Sequence, residues 1–122
     1  MANHLETGKH GEEIAAAHLL RLGFQILETN WRHRRLEVDI IAKEGETLVF
    51  VEVKTRSYDY FGRPEEFVTP GKERRLAEAA AAFMEKSGHD WAMRFDVVSV
   101  LMKNATDYTV EHIRDAFFPG IV

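Results

Sequence analysis

The pattern of apolar and polar residues along the chain predicts two helices. Residues 12–22 are good helix formers with acidic residues in the first turn, and Gly23 ends the segment. The second helix is clearer, because Thr69 is a natural N-cap, Pro70 suits the first helical position and Gly88 suits the C-terminal cap. The apolar stripe of this helix consists of Leu76, Ala79, Ala80 and Phe83.

Five shorter segments have the apolar or alternating pattern of β-strands. They are residues 24–31, 36–42, 47–55 and 93–100, with 108–113 as a candidate fifth. The first three strands can form an antiparallel meander, and the second helix can then return the chain so that the fourth strand lies parallel to the third. The pattern therefore predicts an α/β fold with a mixed sheet. The predicted order is helix, strand, strand, strand, helix and strand, with the fifth strand at the end.

The length of 122 residues predicts a single domain. We assign residues 1–10 to a flexible N-terminal tail and residues 11–122 to that domain. The absence of cysteine excludes disulfides, thiolate catalysis and cysteine-based zinc sites. No apolar run has the roughly 18 to 20 residues of a membrane span, and the N-terminus lacks the apolar core of a signal peptide. We therefore expect a cytoplasmic protein with no membrane partner.

The net charge of −4 does not by itself indicate nucleic-acid binding. Basic residues are nevertheless clustered, as RHRR at residues 32–35 and as KERR at residues 72–75. These clusters leave open a local basic face on an acidic protein. The alternative is two solvated charged runs with no binding role.

The third predicted strand, LVFVEVKTR, carries Glu52 and Lys54 on one face of an apolar segment. The second strand repeats this feature, because Glu37 and Asp39 also share a face. A hairpin with a four-residue loop would set Asp39 opposite Glu52 and Glu37 opposite Lys54. A two-residue loop at Glu44–Gly45 would instead set Glu37 opposite Glu52. Both registers place two carboxylates opposite each other across the ladder.

Like charges directly opposite each other destabilise a ladder, and burial adds a desolvation cost for each ion. A shared proton, neutralisation by Lys54 or a divalent cation would each offset the repulsion. Ligands that are all oxygen atoms favour a hard ion, Mg²⁺ or Mn²⁺, over zinc. Such an ion can hold a phosphate and lower the pKa of a bound water. The alternative is that Glu52 and Lys54 lie on a solvated strand face.

The segment EVDIIA, followed by VEVKTR, resembles the Asp…Glu-X-Lys motif of the PD-(D/E)XK nuclease superfamily, which has the restriction-endonuclease-like fold. More narrowly, the chain resembles the YraN-like family of small bacterial proteins, predicted to be related to archaeal Holliday-junction resolvases. The resemblance spans about residues 8–118. The segments that carry it are GEEIAAAHLLRLGFQILETNWR, EVDIIA with LVFVEVKTR, the lysine-led second helix and RFDVVSV.

This resemblance implies a metal site and a catalytic lysine. Asp39 and Glu52 would be metal ligands, with the backbone carbonyl of Val53 as the third, and the ion would be Mg²⁺ or Mn²⁺. Lys54 would be the catalytic lysine, which orients the attacking water or stabilises the pentavalent phosphate.

Two further acidic residues are implied as accessory groups. Glu12, rather than Glu13, would be an accessory ligand that acts through water, and Glu37 would assist Asp39. The chain departs from the family's pattern at one position, because Leu36 stands where the family usually has glycine. A side chain at this position, where glycine has none, would limit how closely a phosphate backbone can approach the second strand.

Basic side chains around the predicted site are candidates for contacts with a DNA backbone. Lys72 lies one helical turn before Leu76, so it should emerge at the rim of the core, beside a helix N-terminus that favours phosphate. The alternative is a lysine whose stem packs on apolar surface while its ammonium reaches water. The four candidates are Arg35, Arg56, Lys72 and Arg75.

Two other features have open interpretations. A long loop carries Tyr58, Tyr60, Phe61 and Arg63, which would stack on unpaired bases, contact a dimer partner or simply anchor the loop. Arg94 and Asp96 share a strand face and favour a structural ion-pair network, with Arg94 as a candidate to reach the acidic cluster.

We predict a metal-dependent DNA endonuclease that hydrolyses phosphodiester bonds. Branched or structured DNA is the substrate implied by the resolvase resemblance, and a homodimer would suit it by presenting two sites to two strands. The alternative is a catalytically inactive nuclease-fold module that binds DNA or a DNA-processing protein partner. A purely structural interaction domain is a third interpretation.

Overall fold

The computed structural model describes residues 4–57 and 69–118. Its helices and strands follow the order predicted from the sequence. They are α1 (His4–Arg21), β1 (Gln25–His33), β2 (Leu36–Glu44), β3 (Thr47–Ser57), α2 (Pro70–Ser87), β4 (Met93–Met102) and β5 (Tyr108–Ile113). Among these described residues, neither helix combines the length and the apolar character needed to cross a membrane.

The five strands form one mixed sheet in the order β1-β2-β3-β4-β5. The pairs β1–β2, β2–β3 and β4–β5 are antiparallel, whereas β3 and β4 are parallel. A parallel neighbour requires a crossover, and the chain segment that contains α2 provides it. The predicted α/β fold with a mixed sheet is confirmed, and so is the fifth strand.

The hairpin of β2 and β3 has the first of the two predicted registers, with Ile41 opposite Phe50. The alternative, a two-residue loop at Glu44–Gly45, is wrong. The ladder closes at Glu44↔Thr47, so the turn has two residues, Gly45 and Glu46, and the four-residue loop predicted with this register is also wrong. Gly45 has a φ of 61°, a conformation that glycine adopts without a steric penalty, and this places the turn one residue later.

Helix α1 begins at His4, so the predicted start at residue 12 is wrong and residues 4–10 are helical. Tertiary contacts explain the longer helix. His10 Nε2 lies 2.9 Å from the carbonyl oxygen of Ala105, and Gly11 packs against β3. A Cβ at Gly11 would lie 1.9 Å from Thr55 Oγ1, so only glycine fits at this contact. The two glycines in the segment, which weaken an isolated helix, therefore do not end this one.

Helix α2 has the predicted caps. Thr69 Oγ1 accepts a hydrogen bond of 3.2 Å from the Lys72 N–H, and Gly88 ends the helix with a φ of 72°. The N-cap fixes where the first turn begins, so it also fixes the direction in which the Lys72 side chain leaves the helix.

The two helices cover different apolar clusters of the sheet. Ile14 and Leu19 of α1 belong to a cluster with Val51 of β3, whereas Leu76 of α2 belongs to a second cluster with Phe50. Successive residues of β3 thus pack into different clusters, as alternation along a strand requires. The same alternation directs Glu52 and Lys54 to the side of Phe50, where α2 packs.

Candidate active site

The candidate site lies where the ladder between β2 and β3 ends. The last paired residues are Ile40 and Val51. Beyond this pair, the N–H of Val53 on β3 donates to Oδ2 of Asp39 on β2 at 2.8 Å. A carboxylate oxygen therefore satisfies a backbone donor that a continued ladder would have paired with β2, which fixes the orientation of Asp39.

Asp39 and Glu52 line the same cavity, which has a volume of about 370 Å³. Its wall combines the start of β2, the middle of β3 and the first turns of α2. The lining residues are Arg35, Leu36, Glu37, Asp39, Glu52, Lys72, Arg75 and Leu76. The two carboxylates that the sequence predicted to be neighbours thus share one cavity, and basic side chains stand around them.

Glu52 is buried, with 5% of its surface exposed, and two lysines neutralise it. Lys54 Nζ lies 3.1 Å from Glu52 Oε1, and Lys72 Nζ contacts the same oxygen. A buried carboxylate without partners would be strongly destabilising, so these contacts explain how an ionised Glu52 is tolerated on an apolar sheet.

Asp39 has a strongly perturbed acidity. Burial and the charge of Glu52 raise its pKa from 3.8 to about 7, and the charge of Glu12 adds to the increase. The Val53 N–H and the charge of Lys72 act in the opposite direction. The repulsion expected from the sequence is therefore present, and near neutral pH a proton on Asp39 relieves part of it.

The two lysines differ in acidity although both contact Glu52. Burial lowers the pKa of Lys54, and the neighbouring Lys72 lowers it further. Burial alone would also lower the pKa of Lys72, but its hydrogen bonds to Glu52 and Lys54 and the charges of Glu52 and Asp39 together outweigh burial and raise the pKa. Of the two, Lys54 is the one that gives up a proton more readily, and Lys72 is the more firmly charged.

Glu12, rather than Glu13, is the helix-α1 acid that belongs to this cluster. Glu13 is exposed, whereas Glu12 is partly buried and interacts electrostatically with Glu37 and Glu52. Burial raises the pKa of Glu12, while a hydrogen bond from Asn30 opposes the increase.

Asn30 belongs to the site through its hydrogen bond to Glu12, although no motif in the sequence predicted this. Asn30 has a φ of 51° within β1, a left-handed conformation that asparagine tolerates better than most residues. An asparagine inside an otherwise regular strand was the available signal, because asparagine is depleted in strands.

The remaining predicted residues divide between the cavity and other places. Arg35, Arg75 and Glu37 line the cavity, and Glu37 also pairs with Arg32 at 2.9 Å. Arg56 is not among the lining residues, and its Nη1 donates to the Thr55 carbonyl at 2.9 Å. The aromatic loop at residues 58–63 lies outside the described residues.

Arg94 does not contact Asp39 or Glu52 and belongs to a separate network at the other end of β2. Its Nε lies 2.7 Å from Asp96 Oδ1, and its Nη2 lies 2.9 Å from Glu44 Oε1. His112 Nε2 also contacts Asp96, at 2.8 Å, and Arg114 contacts Glu44. The structural ion-pair network predicted for Arg94 and Asp96 is therefore present, whereas a contact of Arg94 with the acidic cluster is not.

The donor chemistry of the cavity fits a hard divalent cation. Asp39 and Glu52 offer carboxylate oxygens, and the high pKa of Asp39 reflects burial first and then the negative charge of Glu52, which a cation would neutralise. Within the described parts of the chain, no three His, Cys, Asp or Glu side chains are already gathered around one point. A cation bound by the two carboxylates would thus draw further ligands from backbone oxygens or water, as Mg²⁺ commonly does.

Comparison with known proteins places the chain in a family. A family model described as "Uncharacterised protein family UPF0102" matches residues 11–100. The chain belongs to this family. The UPF0102 protein of Rhodococcus jostii strain RHA1 is 47% identical over 118 residues, which cover 96% of this chain and 100% of the relative. The UPF0102 proteins of Christiangramia forsetii and Phocaeicola vulgatus are 46% and 43% identical, over 97% and 99% of this chain and 98% and 99% of their own.

The UPF0102 match confirms the YraN-like resemblance that the motifs indicated. The matched range extends from the middle of α1 through most of β4, so it includes Asp39 and Glu52 and the two lysines that contact Glu52. Neither the description of the UPF0102 family nor the names of these relatives state an activity, and the roles of the site residues stay predictions.

Proposed function

We propose that this UPF0102 protein is a metal-dependent endonuclease that hydrolyses phosphodiester bonds in DNA. The observation that carries the proposal is the shared cavity of Asp39 and Glu52, with Lys54 on the second carboxylate. The pKa of Asp39 is raised by burial and by the charge of Glu52, and a lysine stands beside the second carboxylate; this arrangement is suited to a cation and a phosphate. Branched or structured DNA is the substrate class to test first.

Asp39 and Glu52 would hold the cation, with the backbone carbonyl of Val53 as a third ligand and Glu12 as an accessory group through water. A bound Mg²⁺ or Mn²⁺ would lower the pKa of a water molecule and stabilise negative charge on the phosphate. The hydrogen bond from the Val53 N–H holds Asp39 in place, so this ligand is oriented before the cation arrives.

Lys54 would act on the reacting groups rather than on the DNA backbone. It contacts Glu52 at 3.1 Å and is largely buried, so its ammonium lies beside the proposed metal ligands. Because burial lowers the pKa of Lys54, a larger fraction of it is neutral near pH 8 than for an exposed lysine. As an ammonium it would stabilise the charge on the phosphate, and as an amine it would accept a proton from water.

The basic rim would bind the DNA backbone. Arg35 and Arg75 line the cavity together with Lys72, so positive charge surrounds the carboxylates although the whole chain has a net charge of −4. Phosphate contacts of this kind release counterions, so DNA affinity should fall steeply as salt is raised.

A nuclease-fold module that binds without cutting is the second candidate. It is favoured by the contacts of Glu52, whose charge Lys54 and Lys72 already neutralise without a cation. In that case DNA or a DNA-processing protein would occupy the basic rim, and salt would weaken DNA binding far more than protein binding.

Cleavage assays separate these candidates. Linear, flapped and four-way DNA are incubated with Mg²⁺ or Mn²⁺ and the parent protein, Asp39→Asn or Lys54→Ala. Lys86→Ala serves as the control, because Lys86 is an exposed lysine in the last turn of α2. The endonuclease proposal predicts cleavage by the parent and by the control only. No cleavage by the parent, or equal cleavage by all four proteins, would refute it.

A further inference from the structure

Two ammonium groups share a single oxygen of Glu52. Lys54 and Lys72 both contact Oε1, and Glu52 is 5% exposed, so little water separates the two positive charges. A cation held by Glu52 and Asp39 would bring a third positive group to the same place. Coulomb repulsion in a poorly hydrated site is large, so cation binding favours a state in which one of the lysines has moved away.

Lys72 is the lysine that is free to leave. Lys54 belongs to the centre of the sheet, where β3 is paired with β4 at Lys54↔Ser99, and its side chain is 15% exposed. Lys72 lies in the first turn of α2, and its side chain is 31% exposed at the cavity rim. The positive end of the helix dipole also disfavours an ammonium in the first turn, and the ion pair with Glu52 offsets this and holds Lys72 in this position.

The cavity offers the displaced ammonium a second anionic partner once DNA is present. Arg75 lines the cavity one turn along α2, and Arg35, just before β2, lines it as well. A DNA phosphate drawn in by these arginines would lie within reach of the Lys72 side chain, which also lines the cavity.

We propose that Lys72 is an internal counter-ion of Glu52 which a divalent cation displaces, and that the displaced ammonium then binds a DNA phosphate. This inference rests on the proposed function, because it takes Asp39 and Glu52 as the cation ligands. It assigns Lys72 a coupling role: the cation and the DNA assist each other's binding because each favours the released position of Lys72.

If Lys72 has this coupling role, one substitution should change the affinity for the cation and the affinity for DNA in opposite directions. Lys72→Met removes the competing charge from Glu52, so Mn²⁺ should bind more tightly in the absence of DNA, by roughly tenfold if the coupling is typical of linked sites. The same variant should bind four-way DNA more weakly. Arg75→Met is the matched control, because Arg75 lines the cavity and is not an ion-pair partner of Glu52 among the described contacts. It should weaken DNA binding and leave Mn²⁺ affinity unchanged.

Isothermal titration with Mn²⁺, without DNA, tests the first half of this prediction on the parent, Lys72→Met, Lys72→Gln and Arg75→Met. Circular dichroism melting establishes that each variant is folded. Two substitutions at Lys72 are used so that the test can still be made if one of them prevents folding. Tighter Mn²⁺ binding by a folded Lys72 variant and not by Arg75→Met supports the inference. Equal Mn²⁺ affinity in the parent and the folded Lys72 variants overturns it and leaves the endonuclease proposal intact. No Mn²⁺ binding by any of the proteins overturns both.

Fluorescence anisotropy of a labelled four-way DNA tests the second half. DNA affinity is measured with and without Ca²⁺, a hard cation chosen as a substitute for Mg²⁺. In the parent and in Arg75→Met, Ca²⁺ should strengthen DNA binding, whereas in Lys72→Met this enhancement should be reduced severalfold or lost. An enhancement of the same size in Lys72→Met and the parent would overturn the coupling role.

Discussion

Asp39→Asn should make the protein more stable at alkaline pH. The substitution removes the charge of a partly buried carboxylate that lies beside Glu52 and keeps an oxygen that can accept the hydrogen bond from the Val53 N–H. Residues that bind ligands are often not optimal for stability, and under the proposed function Asp39 and Glu52 would be a carboxylate pair without its cation.

The size of this gain in stability follows from the raised pKa of Asp39. At about 1.4 kcal/mol per pKa unit, the difference between 3.8 in the unfolded chain and about 7 in the folded protein corresponds to about 4 kcal/mol. The folded state holds the proton more tightly, so this stability is fully present below pH 3.8 and is lost as the pH rises through about 7. Asp39→Asn should therefore gain little at pH 4 and up to about 4 kcal/mol in unfolding free energy at pH 8.

Urea unfolding followed by tryptophan fluorescence, in EDTA and between pH 4 and pH 8, measures this difference. The control is Glu37→Gln, which removes a carboxylate from the same cavity at an exposed position and should change the stability by less than about 1 kcal/mol at any pH. A difference between Asp39→Asn and the parent that is the same at pH 4 and pH 8 would refute the reasoning. So would an Asp39→Asn protein that is less stable than the parent at pH 8.

Three further predictions concern residues that support the site or the fold. Asn30→Gly keeps the left-handed backbone but loses the hydrogen bond to Glu12. In the cleavage assay it should lower activity severalfold with little change in melting temperature, and a wild-type rate would contradict a positioning role for Asn30. Asp96→Asn should lower the unfolding free energy in urea by about 3–5 kcal/mol, because it leaves Arg94 and His112 without their buried anion; a loss below about 1 kcal/mol would contradict this. Gly11→Ala should lower the unfolding free energy by about 1–3 kcal/mol, because the added methyl group would clash with Thr55 Oγ1. Adding Thr55→Ala should restore part of this loss, and a double variant as unstable as Gly11→Ala would contradict the clash.

Features of the fold that depend on residues close together in the chain could be predicted from local signals in the sequence. Thr69, Pro70 and Gly88 identified the limits of α2, because each acts through its own backbone conformation or cap. The pairing of β2 with β3 followed from residue parity and a short loop, so the shared cavity of Asp39 and Glu52 was also predictable.

Features that depend on tertiary contacts were not predictable in the same way. The start of α1 at His4 reflects packing of Gly11 against Thr55, which helix propensity does not contain. The contact of Lys72 with Glu52 joins two elements whose relative position is set by the whole sheet, so Lys72 was expected to face a phosphate instead. The link from Arg94 to Glu44 likewise depends on how β4 is placed beside the β2–β3 hairpin.

The central claim is that Asp39 and Glu52 bind a cation that supports hydrolysis of DNA. The most direct test is the single-turnover cleavage rate of four-way DNA at saturating protein, for the parent and for Asp39→Asn, with Mg²⁺ and with EDTA. We expect cleavage by the parent in Mg²⁺ and not in EDTA, and a rate for Asp39→Asn that is lower by on the order of a thousandfold, since a metal ion supplies several kcal/mol of transition-state stabilisation. Cleavage at equal rates by both proteins, cleavage by the parent in EDTA, or none by the parent in Mg²⁺ would contradict the central claim.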